Sequence, residues 1–259
     1  MKRNFSFIFS FRSFLIIFFV LFSFVVISQP TTGNITTNFS SPNGSSKTFS
    51  HTQNSGDDRL LIVIVQNPNG SNPTGVTYNG VSMTSALNWN NGIGFRNRIF
   101  YLENPAEGSN NVVVTYSAGQ WNKSGHIAIS FTNSGGIGDL DKNVNGGYNT
   151  ERGVTLTVEE NSKIIAFGTS SGGTGSYIRL PNPTNLPRDW NANLCCGKGS
   201  YGAVSDAFSA GNQTMTSKDG NGWVYPIALE IKSAVSITAP TITTTSISSI
   251  TCSSASSGG

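Results

Sequence analysis

The run from Leu60 to Val65, LLIVIV, decides the fold class. Six consecutive apolar residues, mostly β-branched, lack the alternation of a strand with one wet face. Gly56-Asp57-Asp58-Arg59 precedes the run and is typical of a turn. We therefore expect a strand that is buried on both faces, at the centre of a β-sandwich.

The chain on either side of this run predicts further strands and no helix. Between residues 47 and 233, short β-rich segments alternate with Gly, Asn and Pro, without a helical period. Asn79-Gly80 lies between Val76–Tyr78 and Val81–Thr84, which is a strong hairpin signal because both turn positions need a positive φ. The pattern predicts an all-β fold of about 11 to 12 strands in two packed antiparallel sheets, jelly-roll or lectin-like.

The amino-acid composition argues against helical folds and against nucleic-acid binding. Charged residues make up 11% of the 259 residues, against about 25% in an average domain, which argues against coiled coils and helix bundles. The net charge of +3 comes from Lys2, Arg3 and Arg12, and without them 13 basic residues balance 13 acidic ones. No basic patch is evident in the remaining chain, so we expect no nucleic-acid partner.

The N-terminal segment, residues 1–28, predicts a secretory signal peptide. A basic start is followed by an apolar stretch and a plausible cleavage site before Gln29. The alternative is an uncleaved anchor, but Ser13 to Ser28 is 16 residues long, below the roughly 18–20 that span a bilayer. We expect a secreted or cell-surface protein without a membrane span after cleavage, and a flexible lead-in over residues 29–46.

The C-terminal segment, residues 234–259, predicts a linker and the start of another domain. Its Ala-Pro-Thr followed by Thr/Ser-Ile alternation resembles the opening strands of a fibronectin type III or immunoglobulin-like repeat. We expect other domains of the same longer chain to be partners of the 47–233 sandwich.

Three motifs in a fixed order carry a wider resemblance, over almost all of residues 47–233. They are Val76-x-Tyr78-x-Gly80, Tyr101-Leu102-x-x-Pro105-x-x-Gly108 and a last strand led by Trp223. The chain resembles a family of secreted bacterial β-sandwich modules that show these motifs. The resemblance implies a surface protein in which such modules stand beside immunoglobulin-like and fibronectin-like repeats, and it implies no catalytic activity.

The sequence motifs that resemble catalytic sites do not meet the requirements of those sites. Gly168 to Gly172 matches the G-x-S-x-G of hydrolases, but no helix can follow it and both histidines, His51 and His126, lie upstream. Glu159 and Glu160 are adjacent and face opposite sides of a strand, unlike paired catalytic carboxylates. We expect no catalytic residue and no enzyme activity.

A calcium loop is the clearest metal signal. Asp141, Asn143, Asn145 and Gly146 match the opening D-x-N-x-N-G, in which oxygens at alternate positions surround the cation. Glu151 falls at position 11 of the loop and not at 12, so an EF-hand is not expected. The alternative is an ordinary polar loop in a chain rich in Asn and Gly.

Aromatic residues on loops are the candidate ligand-binding residues. Trp121 is expected at a hairpin tip, and Tyr177 and Trp190 in a long loop over residues 172–199. Exposed rings of this kind stack on sugar rings. The alternative is that they cover their own core, which is the role expected for Trp223.

These observations predict a non-catalytic β-sandwich module for adhesion or carbohydrate binding within a larger modular protein. The expected ligand is a glycan or another cell-surface group. A structural spacer or capping module is the alternative, and a polysaccharide-active enzyme comes third.

Overall fold

The described part of the chain is built from β-strands. A computed structural model describes residues 25–41, 44–120, 122–172, 177–179 and 189–237, with the backbone alone at 25–27, 177 and 236–237. Ile27–Val235 form one compact unit. In the described ranges there is no helix of the length and apolar character that crossing a membrane requires.

Nineteen strands occur in the described residues. The first ten are β1 (Val25–Ser28), β2 (Thr31–Ser40), β3 (Gly44–Gln53), β4 (Leu60–Pro68), β5 (Pro73–Tyr78), β6 (Val81–Ser82), β7 (Thr84–Asn90), β8 (Phe95–Glu103), β9 (Gly108–Gln120) and β10 (Ser124–Thr132). The others are β11 (Ser134–Lys142), β12 (Gly147–Tyr148), β13 (Arg152–Val158), β14 (Lys163–Ser170), β15 (Tyr177–Arg179), β16 (Trp190–Asn193), β17 (Gly199–Val204), β18 (Gly211–Lys218) and β19 (Trp223–Ile237).

These strands form four antiparallel sheets. Sheet 1 has the order β3-β9-β5-β6, and sheet 2 has the order β2-β10-β4-β8-β7. Sheet 3 contains the path β19-β14-β17-β16, with β11 and β12 also paired to β19. Sheet 4 has the order β13-β18-β15.

The alternating side chains of β4 show how the sheets stack. Leu60, Ile62 and Ile64 pack in a core that sheet 3 shares, through residues such as Phe167 and Leu229. The other face of β4 packs in a second core with sheet 1. The members of this second core include Leu61, Val63, Val65, Val76, Val112 and Val114. Sheet 2 is therefore covered on both faces, as the unbroken run LLIVIV requires.

Sheet 3 is covered in the same way. Ile165 and Phe167 of β14 face the first core, whereas Ile164 and Ala166 face a third. That third core is completed by sheet 4. Its members there are Val154, Leu156, Val158, Ile178 and Met215. The molecule has four layers, in the order sheet 1, sheet 2, sheet 3, sheet 4, because three successive cores separate them.

The expected all-β, antiparallel class is confirmed, and so is the hairpin at Asn79-Gly80. Asn79 has φ of 48° and Gly80 of 77°, and Tyr78 pairs with Val81 across the turn. The expectation of only two sheets and about 11 to 12 strands is wrong, since two outer sheets cover the central pair. A strand that is apolar on both faces needs a layer on each side.

The segment expected as a flexible lead-in, residues 29–46, instead supplies β2 and the start of β3. β2 pairs with β10 from Thr31↔Thr132 to Ser40↔Ser124. Ile35 and Phe39 of β2 pack against the first core. The sandwich therefore begins before residue 47, and its first strand is Thr- and Asn-rich because most of its side chains are partly or fully exposed.

Candidate functional site

The three aromatic residues predicted to bind a ligand have different outcomes. Trp121 lies outside the described residues. Tyr177 begins β15, and its side chain is also outside what the structure describes. Trp190 is only 3% exposed and packs in the first core, so the expectation of an exposed ring is wrong. The reason is its register: Trp190 pairs with Gly202, whose missing side chain leaves the space that the indole fills.

The expectation for Trp223 is wrong in the opposite direction. It was expected in the core, but its side chain is 41% exposed. It pairs across strands with Tyr148, which is 58% exposed. The two rings lie 6.3 Å apart between centroids, at an interplanar angle of 61°. We call Tyr148 and Trp223 the aromatic pair.

A buried aromatic residue follows the aromatic pair along β19. Tyr225 lies two residues after Trp223 on the same face of β19 and contacts Trp89 of β7, with 5.9 Å between ring centroids. Gly146 and Gly92 lie against Tyr225, where a side chain would meet its ring or hydroxyl group. Tyr225 is therefore closely packed, on the same strand that carries the exposed Trp223.

Exposed asparagines lie close in sequence to the aromatic pair. The backbone N–H of Asn149 donates to the carbonyl of Gly222 at 3.0 Å, which ties the segment of Tyr148 to that of Trp223. Asn145, Asn149 and Asn221 are exposed beside the rings in sequence. Exposed rings with carboxamides nearby are the combination that stacks on sugars and bonds their hydroxyl groups.

The predicted calcium residues form a hydrogen-bonded turn. Asn143 Oδ1 accepts from the backbone N–H groups of Asn145 at 3.2 Å and Gly146 at 3.1 Å, and its Nδ2 donates to the carbonyl of Gly153 at 2.9 Å. Asp141 Oδ1 accepts from the backbone N–H of Lys142 at 2.7 Å. Among the residues that the structure describes, no group of three or more His, Cys, Asp or Glu side chains could hold a metal. Calcium binding stays a prediction.

A second candidate site, which the sequence did not suggest, is a polar groove near the β4–β5 and β7–β8 turns. Three adjoining depressions of about 470, 490 and 340 Å³ share lining residues there. We call them together the amide groove. Its polar lining includes Asn69, Asn72, Asn90, Asn122, Arg96 and Arg98.

Arg98 is the most unusual residue of the amide groove, because it is a buried charge (4% exposed) with no carboxylate partner in the described chain. Its guanidinium donates to Oδ1 of Asn72 at 3.3 Å and Oδ1 of Asn90 at 3.2 Å. It also donates to the carbonyls of Trp89 at 3.1 Å and Asn97 at 2.9 Å. Its Nε is buried without a partner. Burial, and then the charge of Arg96, lower the pKa of Arg98.

Two further cations border the amide groove. Arg96 donates from Nε to Asn72 Oδ1 at 2.6 Å. Lys198 donates to Asn69 Oδ1 at 2.8 Å and to the carbonyl of Ile93, and its Nζ lies 5.6 Å from the ring centroid of Phe95. Burial lowers the pKa of Lys198.

No acidic residue occurs in the segments that carry these cations. Residues 67–72, 88–98, 119–123 and 194–199 contain no Asp or Glu. The ion pairs of the described residues lie elsewhere, at Arg59–Glu107, Arg179–Glu151 and Lys232–Glu159. The overall charge balance of the sequence concealed this local excess of positive charge.

The two histidines have structural roles. His126 of β10 is fully buried between the hydroxyl of Tyr116, 2.6 Å from Nε2, and the carbonyl of Asn38, 3.0 Å from Nδ1. His126 is therefore a buried strand residue whose two ring nitrogens both have hydrogen-bond partners. His51 is buried with Nδ1 2.9 Å from Thr36 Oγ1.

Comparisons with known proteins add no family. No family model matches the chain, and no curated protein matches it. One similar solved structure is the crystal structure of PBCV-1 VP54 fitted into a cryo-EM reconstruction of the virophage Sputnik. It has a TM-score of 0.19 and 8% identity, and the match covers 83% of this chain and 96% of that one.

Proposed function

We propose that the protein is a non-catalytic, secreted or cell-surface β-sandwich module that binds carbohydrate and so contributes to adhesion. The observation that carries the proposal is the aromatic pair, Tyr148 and Trp223. Large exposed rings are uncommon on a surface without a binding role, because leaving them in water forgoes their burial. They are the only Trp and Tyr among the large hydrophobic residues that are most exposed in the described chain.

The build of the pair supports a binding role. Trp223 and Tyr148 are cross-strand partners whose rings contact each other, so each ring restricts the other and less side-chain freedom is lost when a ligand binds. Two rings inclined at 61° present one face and one edge to a ligand, which suits a sugar ring with an apolar and a hydroxyl-bearing side. The neighbouring asparagines supply neutral donors and acceptors for hydroxyl groups.

A glycan array with neutral oligosaccharides tests the proposal. We expect Trp223→Ala and Tyr148→Ala each to weaken the best binding by about three- to tenfold, the value of one aromatic contact. Trp223→Phe keeps a ring and should retain most of the binding. Val81→Ala is the matched control, because Val81 is an equally exposed apolar residue in sheet 1.

Two results would reject carbohydrate binding as the function. Absence of binding by the unmodified protein would leave the spacer role. Release of products from a polysaccharide would instead make the protein an enzyme. Trp121→Ala belongs in the same series, since a role for Trp121 in ligand binding stays a prediction.

A further inference from the structure

We infer that the amide groove is a second binding site, which takes the anionic group of an acidic polysaccharide, a carboxylate or a sulfate, through Arg96 and Lys198. That the anion is carried by a glycan rests on the proposed function. That the groove binds an anion rests on its own residues.

The first support is an uncompensated charge. Arg98 lies under the groove with four neutral oxygen partners and no carboxylate, and its Nε has no partner. A buried cation without a counter-ion is costly, and the cost falls when an anion comes near. Arg98 is therefore a positioning residue at the base of the groove lining, where its buried charge favours an anion bound by Arg96 and Lys198.

The second support is the supply of free donors at the surface. Arg96 uses only Nε within the protein, on Asn72, so its two terminal NH₂ groups have no partner in the described chain. This half-exposed fork matches the two oxygens of a carboxylate or sulfate. Lys198 uses two of its three donors, on Asn69 and Ile93, and keeps one.

The surroundings favour a sugar chain as the carrier of the anion. Asn72 and Asn90 accept from Arg98 through Oδ1, which leaves their Nδ2 groups to donate to hydroxyl groups. Three shallow depressions in a row suit successive units of a polymer better than one small molecule. Nucleic acid is disfavoured, because its binding draws on many phosphate contacts, whereas the described residues at the groove offer few accessible cations: Arg96, Lys198 and the exposed Lys123 beside Asn122.

Isothermal titration of the purified protein with sodium alginate, dextran sulfate and neutral dextran tests the inference. We expect alginate or dextran sulfate to bind more tightly than dextran, and the binding to weaken as NaCl rises from about 0.05 to about 0.5 M. Arg96→Gln and Lys198→Gln should each weaken it by about tenfold, the value of a charge-assisted hydrogen bond. Lys218→Gln, a lysine of sheet 4, is the matched control. Alginate alone would identify a carboxylate site, and dextran sulfate alone a sulfate site.

Failure here can be separated from failure of the proposed function. Trp223→Ala should leave polyanion binding within about twofold, since neither Trp223 nor Tyr148 lines the amide groove. The inference is overturned if neither polyanion binds, if Lys218→Gln weakens binding as much as the groove variants, or if single-stranded DNA binds as tightly as the polysaccharide. Thermal unfolding of each variant checks the fold, and Arg96→Lys keeps the charge as a second, milder variant.

Discussion

Acidification should destabilise this protein through two residues, His51 and His126, which are the only histidines in the chain. Both are buried, and burial lowers the pKa of each from 6.5 to about 4. For His126 the hydrogen bond with Asn38 opposes the shift, and the charge of Lys47 adds to it. The contact of Nδ1 with a carbonyl requires a proton there, so Nε2 of the neutral ring accepts from Tyr116.

The sign follows from proton uptake. With the folded pKa depressed, the unfolded state binds protons first as the pH falls below about 6.5. The stability that the neutral histidines contribute is complete above this value, declines toward pH 4 and is then constant. A shift from 6.5 to about 4 corresponds to ~3 kcal/mol per histidine and ~6 kcal/mol for the pair. That is comparable with the whole stability of a small domain, about 5–15 kcal/mol.

Urea unfolding at several pH values between about 7.5 and about 5 measures the effect, and carboxylates contribute little there because they titrate mainly below about pH 5. We expect a slope of up to about 2.7 kcal/mol per pH unit, halved in His126→Gln and removed in the double variant with His51→Gln. If the double variant does not fold, NMR of the unmodified protein provides the test. The ring ¹H resonances of both histidines should stay constant between about pH 7.5 and about pH 5, because their pKa in the folded protein is about 4. A flat stability curve, or ring signals with a midpoint near about 6.5, would refute the reasoning.

Three further predictions concern stability, each measured by urea unfolding. Gly202→Ala should cost about 1–3 kcal/mol because the new methyl group meets the buried indole of Trp190, whereas Gly75→Ala, where the space is open, should cost less than about 1 kcal/mol. Gly80→Ala should cost about 1–2 kcal/mol, since φ of 77° is unfavourable for a residue with a side chain, and an unchanged midpoint would argue against this turn. Glu230→Gln should cost about 1–3 kcal/mol, because the buried carboxylate accepts from two backbone N–H groups and an amide nitrogen cannot; no loss would show that those bonds are dispensable.

The strand class was predictable because it depends on local pattern. LLIVIV at Leu60 to Val65 indicated a strand buried on both faces, and Asn79-Gly80 indicated the turn between β5 and β6. The number of layers depends on which distant strands cover each face. The apolar faces of β13 and β14 each look like half of an ordinary sandwich, and only their tertiary contacts show that they enclose a third core.

The tryptophans show why site prediction failed. Trp190 follows a Pro- and Asn-rich segment and Trp223 follows Gly220-Asn221-Gly222, and neither pattern separates a buried ring from an exposed one. The difference arises from the cross-strand partners. Gly202 lies opposite Trp190 and leaves space for its indole, whereas Tyr148 lies opposite Trp223 and offers no such space. The sequence did contain a signal for the amide groove. Arg96 and Arg98 are two residues apart, so in a strand they lie on the same face, and residues 88–98 contain no Asp or Glu.

Because only 11% of the residues in this chain are charged, the cluster of cations at the amide groove is evidence about the role of that groove. The outer strands β13 and β18 carry neutral polar side chains on their exposed faces, and these side chains hydrogen-bond across the strands. Thr155 Oγ1 lies 2.8 Å from Thr214 Oγ1, and Thr157 Oγ1 donates to Asn212 Oδ1 at 2.9 Å. These exposed faces therefore present neutral hydroxyl and amide groups. Among the described residues, Arg96, Arg98 and Lys198 pair with no carboxylate, so the repulsion between Arg96 and Arg98 is not offset by an ion pair. A cluster that opposes folding is better explained by binding, so neutralising Arg96 should lose affinity for polyanions and leave the unfolding midpoint unchanged or raised.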